Sequence, residues 1–167
     1  MNGTPEFKAE KVKKCLCGAK AEMAGPNLYC TKPNKCNYTK KYNLENCLDR
    51  LKLTGLGTKN IQKLFDAEYF DLFDLLNAKE KHLLKIEGFG ESIVTTIKRG
   101  IPEKLKTLSD AALMDCSGVF SRVGLSLAEK TLKDILNGKT TKGERFELYQ
   151  DKIKDFKTWK KELKTYL

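Results

Sequence analysis

The sequence predicts a mainly α chain with a small four-cysteine ribbon at its head. Three observations carry that expectation. Four of the six cysteines fall between residues 15 and 36. The stretches 51–65 (LKLTGLGTKNIQKLF) and 83–97 (LLKIEGFGESIVTTI) repeat one pattern: an apolar run, Gly-apolar-Gly, then apolar positions at helical spacing. Near the C-terminus, Phe146, Tyr149, Ile153, Phe156 and Leu163 recur at steps of three, four, three and seven, which is an amphipathic helix.

Composition sets the limits. The 167 residues suit one domain or two small ones, and a hydrophobic share of 40% is enough for a core. No stretch reads as a membrane span or a signal core, so the expectation is a soluble, intracellular protein, cytoplasmic or nucleoid-associated, with no membrane partner. The net charge of +10 favours polyanions. It is unevenly placed: residues 1–43 hold nine lysines against three acids.

In chain order, residues 1–7 (MNGTPEF) read as a cloning remnant and stand outside the fold. Residues 8–43 form the predicted ribbon. Cys15 and Cys17 make one close pair, and Cys30 and Cys36 the other, separated by about a dozen residues in the usual layout of a four-thiolate zinc site. Thiolates suit zinc, and a closed tetrahedron of them is structural rather than catalytic. The first pair, Cys-x-Cys, is one residue shorter than the common knuckle. Gly18 and Gly25-Pro26-Asn27 are turn residues, and Leu28-Tyr29 a short strand feeding Cys30.

Residues 44–137 form the predicted helical domain. A first helix spans 44–54, with Cys47 as a small core residue. Gly55-Leu56-Gly57 then turns the chain into a helix from Thr58, a candidate N-cap, to Phe65. Residues 69–77 connect this unit to the second, whose corner is Gly88-Phe89-Gly90, 33 residues after the first. Lys98 and Arg99 suit that helix's C-terminal end, and Gly100-Ile101-Pro102 is expected to close it. His82, the lone histidine, reads as a surface residue, and neither Cys47 nor Cys116 has a histidine nearby to activate it.

Residues 109–136 read as a third, altered hairpin. Ser109 caps a helix, Ser117-Gly118 breaks it, and Gly124 leads into the next helix with Arg122 beside the turn. Residues 138–167 are a linker and the C-terminal helix, placed either as a cap on the hairpins or as a docking element.

A tight glycine corner between two helices has a chemical consequence. Glycine permits a positive φ and lets another backbone come close. The helix that follows offers N–H groups and a positive dipole end to an anion. Repeated in a basic chain, this reads as the helix-hairpin-helix pattern, whose usual target is the sugar-phosphate backbone of double-stranded DNA without regard to base, against the alternative of an ordinary αα-turn with glycine at the helix end. The candidate DNA-binding residues are Gly55, Leu56, Gly57, Thr58, Lys59, Gly88, Phe89, Gly90, Ser92, Arg122 and Gly124. Leu56 and Phe89 are expected to point inward and pin their turns.

Ribbon first and hairpins after it resembles the C-terminal half of bacterial-type NAD-dependent DNA ligases. Cys30-Thr31-Lys32-Pro33-Asn34-Lys35-Cys36 is similar to that family's second knuckle. KIEGFGESIVTTI resembles its hairpins, and SGVFSRVGLSLAEKTL the start of its second hairpin pair. The resemblance covers roughly residues 12–136. It implies a role in DNA repair and replication, structural Zn2+, and a catalytic nucleotidyltransferase domain or subunit as partner. The family's nucleophilic lysine lies in a Lys-x-Asp-Gly motif, and no Asp-Gly dipeptide occurs in this sequence. The resemblance therefore implies the non-catalytic, DNA-gripping portion, in a viral, phage or subunit version. The alternative is a free-standing helix-hairpin-helix protein of repair or recombination, and a third reading is a zinc-stapled adaptor that touches protein only.

Overall fold

A computed structural model describes residues 14–24, 27–120, 129–138 and 145–167. Strands β1 (Ala21–Ala24) and β2 (Asn27–Cys30) pair antiparallel, with Ala21 opposite Cys30. An isolated bridge between Lys14 and Lys20 extends the hairpin towards the first cysteines. A short 3-10 turn (Pro33–Lys35) leads from β2 into helix α1 (Asn37–Leu51).

Helix α1 starts seven residues earlier than the periodicity predicts. Its N-cap is Cys36, so the ribbon's last cysteine also starts the first helix. The apolar signal begins only at Leu44 because the opening turns are partly solvated, Tyr38 being 44% exposed. Leu44, Cys47, Leu48 and Leu51 are buried as the spacing requires, and Lys52 ends the helix in the left-handed conformation (φ 54°).

The Gly55-Leu56-Gly57 corner follows, then α2 (Thr58–Asp66). Gly57, not Thr58, is its N-cap: the backbone there is extended, and its carbonyl accepts from Ile61 N–H at 3.0 Å. Helices α3 (Leu72–Asn77) and α4 (Glu80–Leu83) connect to the second corner. A reciprocal capping box sets the start of α3: Asp71 accepts from Asp74 N–H, and the Asp74 carboxylate accepts from Asp71 N–H.

Helix α5 (Glu91–Thr95) does not end where Gly100-Ile101-Pro102 was expected to stop it. It passes through a π turn (Thr96–Gly100) into α6 (Ile101–Thr107) as one helical run. The Ile101 N–H bonds to Thr96 C=O, the wider i→i−5 step. Pro102 has no N–H to give to a regular helix, and its ring crowds the carbonyl four residues back. The widened turn falls just before it, while Ile97, Ile101 and Leu105, four apart and all buried, hold the run against the core.

Helix α7 (Asp110–Ser117) begins at Ser109, whose Oγ accepts from Ala112 N–H at 3.2 Å, and ends at Gly118 with φ 70°. Helix α8 (Glu129–Leu136) packs on α7. The turn expected between them, with Arg122 and Gly124, lies outside the described residues.

The C-terminal helix α9 (Arg145–Lys164) docks on its own chain. Tyr149, Phe156 and Leu163 enter the same core as Leu48, Leu64 and Ile97, and Tyr166 stacks on Phe73 at 5.6 Å. Ion pairs fasten its surroundings: Arg50 to Asp115 at 2.5 Å and Lys160 to Asp110 at 2.6 Å. Among the described residues no helix is long and apolar enough to cross a membrane.

Candidate functional site: a four-cysteine centre and two glycine corners

The four cysteines picked out by spacing converge. Their Sγ atoms all lie within 4.8 Å of one another. Cys15 sits 3.5 Å from Cys36, and Cys17 sits 3.6 Å from Cys30. A zinc–sulfur bond of about 2.3 Å in a tetrahedron requires sulfurs roughly 3.8 Å apart, so the donor set and these two edges suit one four-coordinate ion.

The short first knuckle closes through Gly18. With φ 91° it turns the chain so that its N–H reaches Cys15 C=O at 2.8 Å, and Cys15 N–H reaches Ala19 C=O at 2.8 Å. One residue between Cys15 and Cys17 is therefore enough, because the two thiols engage opposite members of the second pair.

The thiols are electrically unequal. Burial, set against the Cys17 N–H, pushes Cys15 up to about 12. Burial also opposes ionisation of Cys36, but the Thr39 hydroxyl and N–H and then the neighbouring thiols outweigh it and bring Cys36 down to about 7. Cys36 heads the 15-residue α1, where a thiolate suits the dipole.

Cys47 and Cys116 belong elsewhere. Both are buried, and the Cys116 thiol lies 4.0 Å from Cys47 C=O. Contact with Cys116 and then burial push the Cys47 thiol well above its ordinary range, so it stays a neutral core residue.

The two glycine corners have matching backbones. Gly55 has φ 88° and Gly88 has φ 83°, and Gly57 and Gly90 are the extended N-caps of the helices that follow. Ile61 N–H bonds to Gly57 C=O at 3.0 Å, and Val94 N–H bonds to Gly90 C=O at 3.1 Å. No side chain caps either helix. Leu56 and Phe89 are each only 5% exposed, so their side chains pin the corners from inside and leave just their main chain to face outward.

Each corner abuts the other unit. A Cβ on Gly55 would stand 3.4 Å from Ile93 Cγ1 on α5, and a Cβ on Gly88 would stand 2.7 Å from Lys63 Nζ on α2. The corners are therefore packed reciprocally. Around Gly57 and Gly90 the space is open, with nothing within 4 Å of an added Cβ. Thr58, Lys59 and Ser92 are exposed beside them.

Two participants escape a reading of spacing. Asn60 Nδ2 donates to Gly55 C=O at 2.7 Å and locks the first corner. Lys63 brings its ammonium over Gly88. Lys98, a candidate cation in the sequence, instead donates to Leu76 C=O at 2.8 Å and is half-buried, whereas Arg99 is exposed.

Fold and site together define a mainly helical chain with a four-cysteine cluster at its head and two reciprocally packed glycine corners. The relatives it matches are DNA ligases. Over 82 residues the chain is 37% identical to the DNA ligase of Leptospira interrogans serogroup Icterohaemorrhagiae, in serovars copenhageni and Lai alike. The alignment takes in 46% of this chain and 12% of the ligase, so part of the chain is related to a small part of that enzyme. No protein-family model matches the chain, and no solved structure matches it.

Proposed function

We propose that this chain is the DNA-binding, non-catalytic portion of an NAD-dependent DNA ligase, a subunit or a fragment, that grips the phosphate backbone of nicked duplex DNA. The observation that carries the reading is the reciprocal pair of uncapped glycine corners, Gly55-Leu56-Gly57 and Gly88-Phe89-Gly90. Each leaves the first-turn N–H groups of a helix without a side-chain cap, and open space in front of Gly57 and Gly90 lets a strand approach. Lys59 and Lys63 add charge at this surface. The similarity to the Leptospira DNA ligases supports the choice of duplex DNA as partner. A catalytic nucleotidyltransferase domain or subunit would perform the sealing chemistry.

On this reading Cys15, Cys17, Cys30 and Cys36 hold structural Zn2+. The ion ties β1 and β2 to the start of α1 and takes no part in bond making. The test is binding to a labelled nicked duplex as a function of salt. Several phosphate contacts give a log–log slope of about −0.9 per contact. A flat response would favour the protein-only adaptor, and co-purification with a protein bearing Lys-x-Asp-Gly would favour the ligase over a free-standing repair protein.

A further inference from the structure

Helix α9 sorts its charges by edge. Lys154, Lys157, Lys161 and Lys164 are all exposed and follow one another at steps of three, four and three, so they form one row along the helix. Asp151, Asp155 and Glu162, also exposed, stand four and seven apart on another edge. The acidic edge faces the cavity shared with Lys40 and Asp71, which Asp155 and Glu162 help to line. The lysine side faces α8: Lys157 and Lys160 line a groove of about 480 Å³ with Lys133, Asn137 and Ser109. Among the described residues the four lysines of the row form no ion pair, whereas Lys152 pairs with Asp155 and Lys160 with Asp110.

We infer that this lysine row, with Lys133 beside it, is a second track for the phosphate backbone of duplex DNA. It extends the DNA-binding reading above but uses none of the residues of the glycine corners. The dimensions agree. Ten residues of helix rise about 15 Å, and successive phosphates of one strand, which winds around its axis, stand roughly 7 Å apart in space, so the row spans about two to three phosphates. The apolar face of α9 is spent inside the protein, where Tyr149, Phe156 and Leu163 are buried. A helix with no apolar face to spare has little to insert into a lipid surface. Sorting the acids to another edge removes the repulsion that a mixed surface would present to a polyanion.

The test compares a labelled duplex bound by the wild type, by K154Q/K157Q/K161Q/K164Q and by G57V/G90V across a salt series. The quadruple variant changes only exposed side chains, so helix content and metal content should stay constant. Its salt slope should fall by about two to three, at ~0.9 per lost contact. D151N/E162Q, which strips charge from the acidic edge, should raise affinity for the same duplex. If the quadruple variant keeps the wild-type slope, or if it loses binding to poly-glutamate or anionic vesicles in place of duplex, the inference is overturned. A slope lost in the quadruple variant but kept in G57V/G90V would uphold the lysine track while removing the glycine corners from the interface.

Discussion

The two glycine corners share a backbone and differ in charge. The first is followed by Thr58 and Lys59, with no acid in the opening turn of α2. The second is flanked by Glu87 and Glu91, both exposed. Its nearest cation is Lys63, lent by the first unit. The helices differ too: α2 stops after nine residues, while α5 runs on through its π turn into α6. A repeated pattern thus preserves the turn and the inward-facing Leu56 or Phe89, and leaves the outward chemistry free to diverge. The lesson is that the pair, not the single hairpin, is the unit: the ammonium over corner two belongs to corner one.

The strongest way to break the comparison is to remove the staple from one side of it. With the proposed ion bound at the four cysteines, Cys36→Ser should release it and unfold the ribbon, since metal binding and folding are linked in such sites at about 10 kcal/mol or more. Because Cys36 caps α1, the first corner should lose amide-exchange protection over Thr58–Asp66 before the second does. Equal protection in both regions after metal loss would show that the ribbon does not support the first corner selectively.

Next in size are Gly55→Ala and Gly88→Ala. Each places a Cβ on a left-handed backbone and should cost about 1–2 kcal/mol in chemical denaturation. Only Gly88→Ala also displaces the Lys63 ammonium, so it should lose more DNA affinity than its partner. The reverse order would mean that Lys63 has no role at the second corner.

Gly57→Val and Gly90→Val enter open space on an extended backbone and should cost stability only about 1 kcal/mol or less, since valine is a poorer N-cap than glycine. Each should weaken duplex binding about tenfold, the worth of roughly one hydrogen bond to a charged group. Titration of a labelled duplex at fixed salt reads this directly, and unaltered affinity in both would exclude close backbone approach. The smallest effects are the most discriminating between corners. Lys59→Gln should reduce the salt slope by about 0.9, whereas Glu91→Gln should strengthen binding slightly by removing a like charge. Identical responses would erase the electrostatic difference.

Much of this was legible in the residues. The cysteine spacing located the thiolate cluster, even with a short first knuckle, because metal ligation demands only that four sulfurs converge. The Gly-apolar-Gly repeat located both corners, since a positive φ before an N-cap admits few other residues. What stayed hidden depends on tertiary contact. The start of α1 at Asn37 carries no apolar period, because Cys36 begins that helix and partial exposure permits polar residues there. The passage through Gly100-Ile101-Pro102 rests on burial of Ile97, Ile101 and Leu105 outweighing a missing N–H. Lys63 over Gly88 joins positions on separate repeats, and no local pattern announces such a pair. The third hairpin's Arg122 and Gly124 fall outside the described residues.

Cys36 ends one structure and begins another, and that has a consequence for biosynthesis. A ribosome releases Cys15 through Cys36 before any of the helical core exists. An ion captured at that moment would already aim the nascent α1, so every later helix would be laid down against a fixed starting direction. Scarcity of the metal would then be felt during translation, as a misdirected first helix, rather than later as a weakened finished protein.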